Sequence, residues 1–258
     1  MTFKVMSFNM QKDRNHSVQY EELLHFMSPA QHQWADAMIL NEAYYLHPEV
    51  AQAALTMDYH AFHPNQSRGM NWNAVLLAKA VWQPLDEGVT CVAEDGYENT
   101  PPRYAVRVHA QKIGGDDAGE RVMFYAVHYP PSWQWGILTK HLVRERVRNA
   151  LEMNRKIWLD VVNQKRLHPK THFVVAGDFN YSSLSGGKPY APIRHYREHM
   201  RLQTIWNQAR AKRLGIKRPI DDVFHSAWLQ VKHVELAGFE KSDHEPPIVN
   251  LAITKHLR

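Results

Sequence analysis

Short apolar runs recur along this chain, and several of them stop at a polar residue able to bind a metal or move a proton. The runs are Phe3–Phe8, Ala37–Leu40, Ala74–Ala78, Tyr104–Val108, Val122–Val127, His172–Ala176, Ala227–Leu236 and Ile248–Ile253. Many are β-branched and bounded by polar or Gly/Pro turns, which is the pattern of strands. Helical spacing occupies the intervals near Tyr20–Gln33, Val50–Met57 and Gly136–Lys165. In the last of these, Leu138, Leu142, Val147, Leu151, Ile157, Leu159 and Val161 form an apolar face, with Arg and Lys elsewhere. Strands mixed with helices in this way predict two packed sheets with helices outside.

The polar residues at the run ends are Asn9 after Phe8, Glu42 after Leu40-Asn41, His128 after Val127, and Asp178 after Ala176-Gly177. A strand has to stop somewhere, and a polar residue is the ordinary place. Strand ends are also rigid positions from which short side chains converge, and the repeated choice of Asn, Glu, His and Asp favours the functional reading. No Ser/Gly-rich linker, composition change or internal repeat divides the sequence, so residues 1–258 are expected to form one domain.

Composition narrows the chemistry. Cys91 is the sole cysteine, which excludes an intrachain disulfide and a thiolate zinc cluster. The balance of 31 Lys+Arg against 26 Asp+Glu gives +5, a mild tilt toward polyanionic partners. Neither the N-terminal stretch nor the strongest apolar run, Ala74–Ala78, has the length of a signal peptide core or a membrane span. The expectation is a cytoplasmic protein without a transmembrane segment, a processed secreted form also being compatible. Asn9, Glu42, Asp178, Asn180, Asp221 and Asp243 offer oxygen ligands of the kind magnesium prefers, and His128 and His244 can donate to phosphate oxygens. Ser185-Gly186-Gly187-Lys188 is not a phosphate loop, because Ser182 and Pro189 stand where that motif needs Gly and Ser/Thr.

At these positions the chain resembles the endonuclease/exonuclease/phosphatase superfamily. The resemblance runs from Ser7-Phe8-Asn9-Met10 through Asn41-Glu42, His128-Tyr129-Pro130-Pro131, Gly177-Asp178-Phe179-Asn180 and Ile220-Asp221-Asp222-Val223-Phe224 to Ser242-Asp243-His244. It implies an α+β fold, a four-layered α/β/β/α sandwich of two packed mixed β-sheets flanked by helices. It also implies a divalent-metal-dependent phosphodiesterase using Mg2+, with Mn2+ as a substitute. Glu42, helped by Asn9 and with Asp243 nearby, would anchor the metal. Asp178 would orient or deprotonate the attacking water, and Asn180 would hold phosphate and neighbouring side chains. His244 would pair with Asp221, His128 would stabilise charge on the phosphoryl oxygens, and Arg103 would clamp phosphate. The sequence departs from the family pattern at Asn41, where Gln is commoner, at Asp222, where an aromatic is usual, and at Asn73, which stands near a Gly that commonly opens that strand. Asp222 leaves open which aspartate pairs with His244.

The same centre serves several phosphoesters, so substrate has to be argued separately. Residues Arg194–Arg218 contain eight Lys/Arg and one acid, Glu198. A helix over His199–Leu214 would carry Arg201, Arg210, Lys212 and Arg213, with Trp206 stacking or packing, and would suit a nucleic-acid backbone. Ordinary solvated charge is the alternative for that helix. Trp133 and Trp135 are expected beside the site. The ranking is a nuclease acting on DNA or RNA first, a phosphoinositide, sphingomyelin-type or small-molecule phosphoesterase second, and a non-catalytic nucleic-acid-binding relative third.

Overall fold

The computed structural model describes residues 2–10, 16–42, 47–64, 73–93, 103–129, 140–180, 192–217, 219–238, 244 and 246–254. In chain order they form β1 (Thr2–Asn9), α1 (His16–Met27), β2 (Ala37–Asn41), α2 (His47–Thr56), β3 (Tyr59–Phe62), β4 (Asn73–Ala78), β5 (Trp82–Ala93), β6 (Arg103–Lys112), β7 (Arg121–His128) and α3 (Lys140–Leu167). There follow β8 (His172–Asp178), α4 (Pro192–Glu198), β9 (Leu202–Thr204), α5 (Gln208–Arg213), β10 (Asp221–Ser226), β11 (Leu229–Leu236) and β12 (Pro247–Ile253). The strands make two six-stranded sheets, ordered β11-β12-β1-β2-β4-β3 and β5-β6-β7-β8-β10-β9. Both are mixed, because β1 is parallel to β2 and β7 is parallel to β8 while other neighbours are antiparallel.

The two-residue period of a strand builds the layers. In β1, Phe3 and Val5 join the core between the sheets, whereas Met6 and Phe8 pack outward against Leu23 and Phe26 of α1 and Val50 and Ala53 of α2. In the second sheet Phe124, Val174, Ala176 and Val223 face inward. Met123, Tyr125, Phe173 and Val175 face outward onto Ala150, Met153, Ile157 and Val161 of α3 and Tyr196 of α4. The result is the α/β/β/α sandwich that the sequence predicts. No helix among the described residues is long and apolar enough to cross a membrane.

The structure departs from the sequence reading at one helix end and, for physical reasons, at two further segments. The long helix spans Lys140–Leu167, two residues beyond the expected end at Lys165, and residues 136–139 of the expected Gly136–Lys165 lie outside the described residues. The strand β5 carries Pro84 and Gly88 and has no apolar alternation, because it is an edge strand with one hydrogen-bonding side unpaired. The helix expected over His199–Leu214 is instead the strand β9 followed by the short helix α5. Leu202, Ile205, Trp206 and Ala211 are all buried there, which fixes the segment by tertiary packing rather than by helical spacing.

At one end of the inter-sheet core Phe3, Trp82 and Phe124 meet edge to face, with ring centroids 5.2, 5.1 and 6.3 Å apart. Emptying that corner removes contacts to both sheets. Phe124→Ala is expected to lower stability by about 3–5 kcal/mol, read as a shifted urea midpoint, and a loss below 1 kcal/mol would show that the sheets are not held there.

Candidate active site

The inward-facing positions turn polar at one end of the sandwich. In the first sheet Asn9 pairs in register with Asn41, and Asn41 with Asn73. In the second His128 pairs with Asp178, and Asp178 with Asp221. Each of these residues has the parity of an inter-sheet core residue on its own strand: Val5, Ile39, Val75, Phe124, Val174 and Val223 respectively. The polar row therefore continues the interior of the sandwich to its rim, and all six residues are buried.

Glu42 follows Asn41 in a left-handed conformation, with φ 56. This is a costly state for a residue with a Cβ. Asn180, two residues beyond Asp178, also has positive φ, at 53, which Asn tolerates better. Gly177 has φ 145, and a Cβ there would lie 1.8 Å from the Val127 carbonyl oxygen. Only glycine fits, because the backbone of β7 occupies the space.

Asp178 is the hub. Its Oδ2 accepts from Asn9 Nδ2 at 3.0 Å, and its Oδ1 accepts from the Asn180 backbone N–H at 2.7 Å. His128 Nε2 lies 3.4 Å from Glu42 Oε1 and 3.7 Å from Asp178 Oδ2. His244 Nδ1 lies 2.7 Å from Asp221 Oδ2, and its Nε2 is 3.9 Å from Asp178 Oδ2. Asn180 Nδ2 donates to the Tyr129 carbonyl at 2.8 Å, and the buried Arg103 donates to the His128 carbonyl at 3.0 Å. Asp222, of opposite parity, is enclosed elsewhere: Thr204 Oγ1 donates to its Oδ2 at 2.6 Å and the Val223 N–H to its Oδ1 at 2.7 Å. The partner of His244 is thus Asp221.

Burial and crowding set the charges. Burial, then the Asp221 carboxylate, pushes the Asp178 carboxyl up to about 7, with Glu42 adding to the rise. His244 and the Asn180 N–H act in the opposite direction. Burial first, then Arg103 and His244, holds His128 well below the usual imidazole range, so its ring is neutral at physiological pH. A neutral ring makes its contacts with Glu42 and Asp178 polar packing rather than ion pairs.

This arrangement fits a divalent cation. One ligand atom each from Glu42, His128 and Asp178 lies within 4.8 Å of the others, and the same holds for Asp178, Asp221 and His244. Asp221 Oδ1 is buried with no hydrogen-bond partner among the described residues. Three carboxylates packed this closely repel one another, and a hard cation with oxygen ligands relieves that repulsion.

The other sequence candidates are placed less tightly. Asp243, Trp133, Trp135, Gly186 and Gly187 lie outside the described residues. Arg201 precedes Leu202, which pairs with Ser226 at the end of β10 remote from Asp221. Five residues of strand separate those ends, about 17 Å. Lys212 and Arg213 are exposed on α5, and Arg210 is half-buried with its guanidinium on the Ile205 carbonyl. Arg201 therefore stands away from the Asp221 end of the polar row. Trp206 is buried, and its Nε1 donates to the Asp221 carbonyl at 2.8 Å, so it packs beneath the site rather than stacking on a ligand. Sequence reasoning missed this support and the tying roles of Asn41 and Asn73, although an amide at an inward strand position was a signal for the latter.

No protein-family profile matches the chain, and neither does any curated protein. Solved structures do match it along nearly its whole length. The human Nocturnin catalytic domain with bound sulfate superposes with a TM-score of 0.73 at 13% identity, covering 98% of this chain and 95% of that one. An endonuclease/exonuclease/phosphatase family protein from Bacteroides thetaiotaomicron gives 0.72 at 13%, covering 100% and 97%. D. rerio TDP2 complexed with a single-strand DNA product gives 0.64 at 13%, covering 97% and 99%. The chain shares the fold of these proteins.

Two measurements follow from the local geometry and charges. In EDTA, Glu42→Gly is expected to raise Tm by about 2–4 °C, relieving roughly 1 kcal/mol of backbone strain, and a lower Tm would contradict the strain. For Asp178 the sign is fixed by its raised folded pKa. The folded protein holds the proton up to about 7 whereas the unfolded chain loses it near 3.8, so this carboxyl costs stability as pH rises between those values. The Tm of Asp178→Asn minus that of the wild type should be small below pH 4, grow through pH 7 and then level off. A difference independent of pH would contradict the assignment.

Proposed function

We propose that this chain is a divalent-metal-dependent phosphodiesterase of the endonuclease/exonuclease/phosphatase family, acting on a nucleic acid. The observation that carries this reading is the convergence of Glu42 from one sheet, and of His128 and the His244–Asp221 pair, on the buried carboxylate Asp178. The shared fold and the order of the sequence motifs support it.

Each residue has chemistry suited to hydrolysis. Glu42 and Asn9, with Asp178 beside them, would hold Mg2+ or Mn2+, and the sequence pattern adds Asp243 to that set. A bound divalent ion supplies charge neutralisation to the phosphate and lowers the pKa of water. Asp178, whose proton affinity is raised toward neutrality, orients the attacking water and accepts its proton. The neutral His128 donates an N–H to a phosphoryl oxygen as charge builds there. Asp221 receives the Nδ1–H of His244, which fixes the tautomer and directs Nε2 toward Asp178 and the reacting phosphate. Asn180, held by the Tyr129 carbonyl, keeps its amide at the rim, and Arg103 braces His128 from beneath and supplies positive charge for phosphate.

A net charge of +5 and the DNA product held by TDP2 favour a nucleic acid. A second reading, a smaller phosphoester, rests on the placement of Arg201 at the far end of β10, away from the row. ANGEL2, a 2',3'-cyclic phosphatase solved with adenosine-2',3'-vanadate, shares the fold with a TM-score of 0.69 at 12% identity and shows how small such a ligand can be.

The test is a panel of supercoiled plasmid, linear duplex, single-stranded DNA, RNA, a 2',3'-cyclic nucleotide and inositol phosphates, each with Mg2+ or Mn2+. Turnover of at least one nucleic acid is expected, abolished by EDTA and reduced about 10²–10⁴-fold by Asp178→Asn or His244→Ala. Turnover of the small phosphoesters alone would replace the substrate class. If no substrate is hydrolysed while Mg2+ still raises Tm, the chain binds and does not cleave.

A further inference from the structure

The site is split between two sheets, and most of what joins those sheets is apolar packing, which sets their separation but has no preferred direction. Direct polar links are found at the rim. The Asn41 amide, fully buried in the first sheet, reaches across to the second: its Nδ2 donates to the Val127 carbonyl at 3.1 Å, and its Oδ1 accepts the Asp178 backbone N–H at 3.0 Å. The remaining Nδ2 hydrogen goes to Asn73 Oδ1 at 2.8 Å, and Asn73 Nδ2 donates to the Tyr104 carbonyl of β6 at 2.7 Å. One amide pair on β2 and β4 thus grips the backbone of β6, β7 and β8.

The atoms gripped are adjacent to the chemistry. Val127 precedes His128, the captured N–H belongs to Asp178, and Asn41 precedes Glu42. An acceptor is required toward Asp178 N and a donor toward Val127 O, so the orientation of the Asn41 amide is fixed by its partners. Its length is fixed as well. A Cβ on Gly177 would come within 3.0 Å of Asn41 Oδ1, and Asn73 closes the other side.

We propose that Asn41, oriented by Asn73, is a positioning residue that sets the register between the two halves of the site. It holds Asp178 and His128 opposite Glu42, and it touches neither substrate nor metal. Its catalytic consequence rests on the phosphodiesterase reading above. The two amides are matched in length: a longer side chain at 41 drives its amide into Asn73, and removing the Asn73 side chain opens the room it needs. Two of the three positions at which the sequence departs from the family pattern, Asn41 and Asn73, are then one coupled adjustment.

The test is a double-mutant cycle with an isosteric control, measured well below each variant's Tm on the substrate found for the wild type. Asn41→Leu should lower kcat at least tenfold with KM within threefold, since it removes the cross-sheet bonds and leaves the substrate-contacting groups in place. Asn41→Gln and Asn73→Gly should each lower kcat at least tenfold, and the double variant should recover to within threefold of wild type, a non-additivity expected of a coupled pair. Amide hydrogen exchange gives a readout independent of activity: the Asp178 N–H should exchange at least tenfold faster in Asn41→Leu, with the Val174 N–H unchanged. Faster exchange at Asp178 with kcat within threefold would reduce Asn41 to a structural residue and overturn the proposal, as would additive losses in the cycle. If the wild type hydrolyses nothing, the phosphodiesterase reading fails by itself. The latch is then judged on exchange, and an Asp178 rate unaffected by Asn41→Leu overturns it.

Discussion

A strand with two buried faces has no neutral place to put a polar side chain, and this constraint organises the molecule. The inward faces of both sheets are apolar from Phe3, Trp82 and Phe124 to Ile39, Ala126 and Ala176. One step further along the same faces stand Asn41, His128 and Asp178, equally buried. Groups desolvated at that depth must be paired or cost several kcal/mol each, in order of magnitude. The pairing is done mainly across the gap between the sheets: Asn9 to Asp178, Asn41 to Val127 and Asp178, Asn73 to Tyr104. The hydrogen bonds that satisfy the rim also align the two halves of the site.

The same burial leaves the centre electrostatically unfinished. Burial first, then the Asp221 carboxylate, with Glu42 adding, keeps the Asp178 carboxyl clinging to a proton, and the Asn180 N–H and His244 offset this only in part. Asp221 is shared between His244 and the groups beneath it, with Trp206 holding its carbonyl. Glu42, directly after β2, stands in a left-handed conformation. Strain, raised proton affinity and an unmatched carboxylate oxygen all fall within one small region, and a divalent cation fits there because it relieves the repulsion among the carboxylates. That concentration distinguishes a site from ordinary strand ends.

Legibility of the strands in the sequence followed unbroken apolar runs, and the buried central strand β10 was missed because Asp221-Asp222 and His225 interrupt it. The strands β1, β2, β4, β7 and β8 are central, and their apolar runs stand out; β5 and β9 are edges, where Pro84, Gly88 and a three-residue pairing leave little pattern. Asn9, Glu42, His128 and Asp178 were visible because each interrupts an apolar run. The choice between Asp221 and Asp222 was open in the motif and is settled by parity, since Asp221 shares the inward face of Val223 whereas Asp222 does not. The tie made by Asn41 and Asn73 had a residue-level signal, and its meaning required the second sheet. The basic stretch Arg194–Arg218 read as a helix over His199–Leu214 and is instead strand β9 followed by α5, with Arg201 at the remote end of β10 and Arg210 turned toward Ile205.

The central claim is that the rim residues of the two sheets enclose one kind of ligand, a hard divalent cation. Anomalous diffraction from crystals grown with Mn2+ addresses it most directly, because the scattering identifies the metal without reference to any substrate. The account predicts a manganese peak within coordination distance of a Glu42 carboxylate oxygen, on the side facing Asp178. Crystals saturated with Mn2+ that show no peak there, or show it only on surface carboxylates away from this rim, would contradict the account.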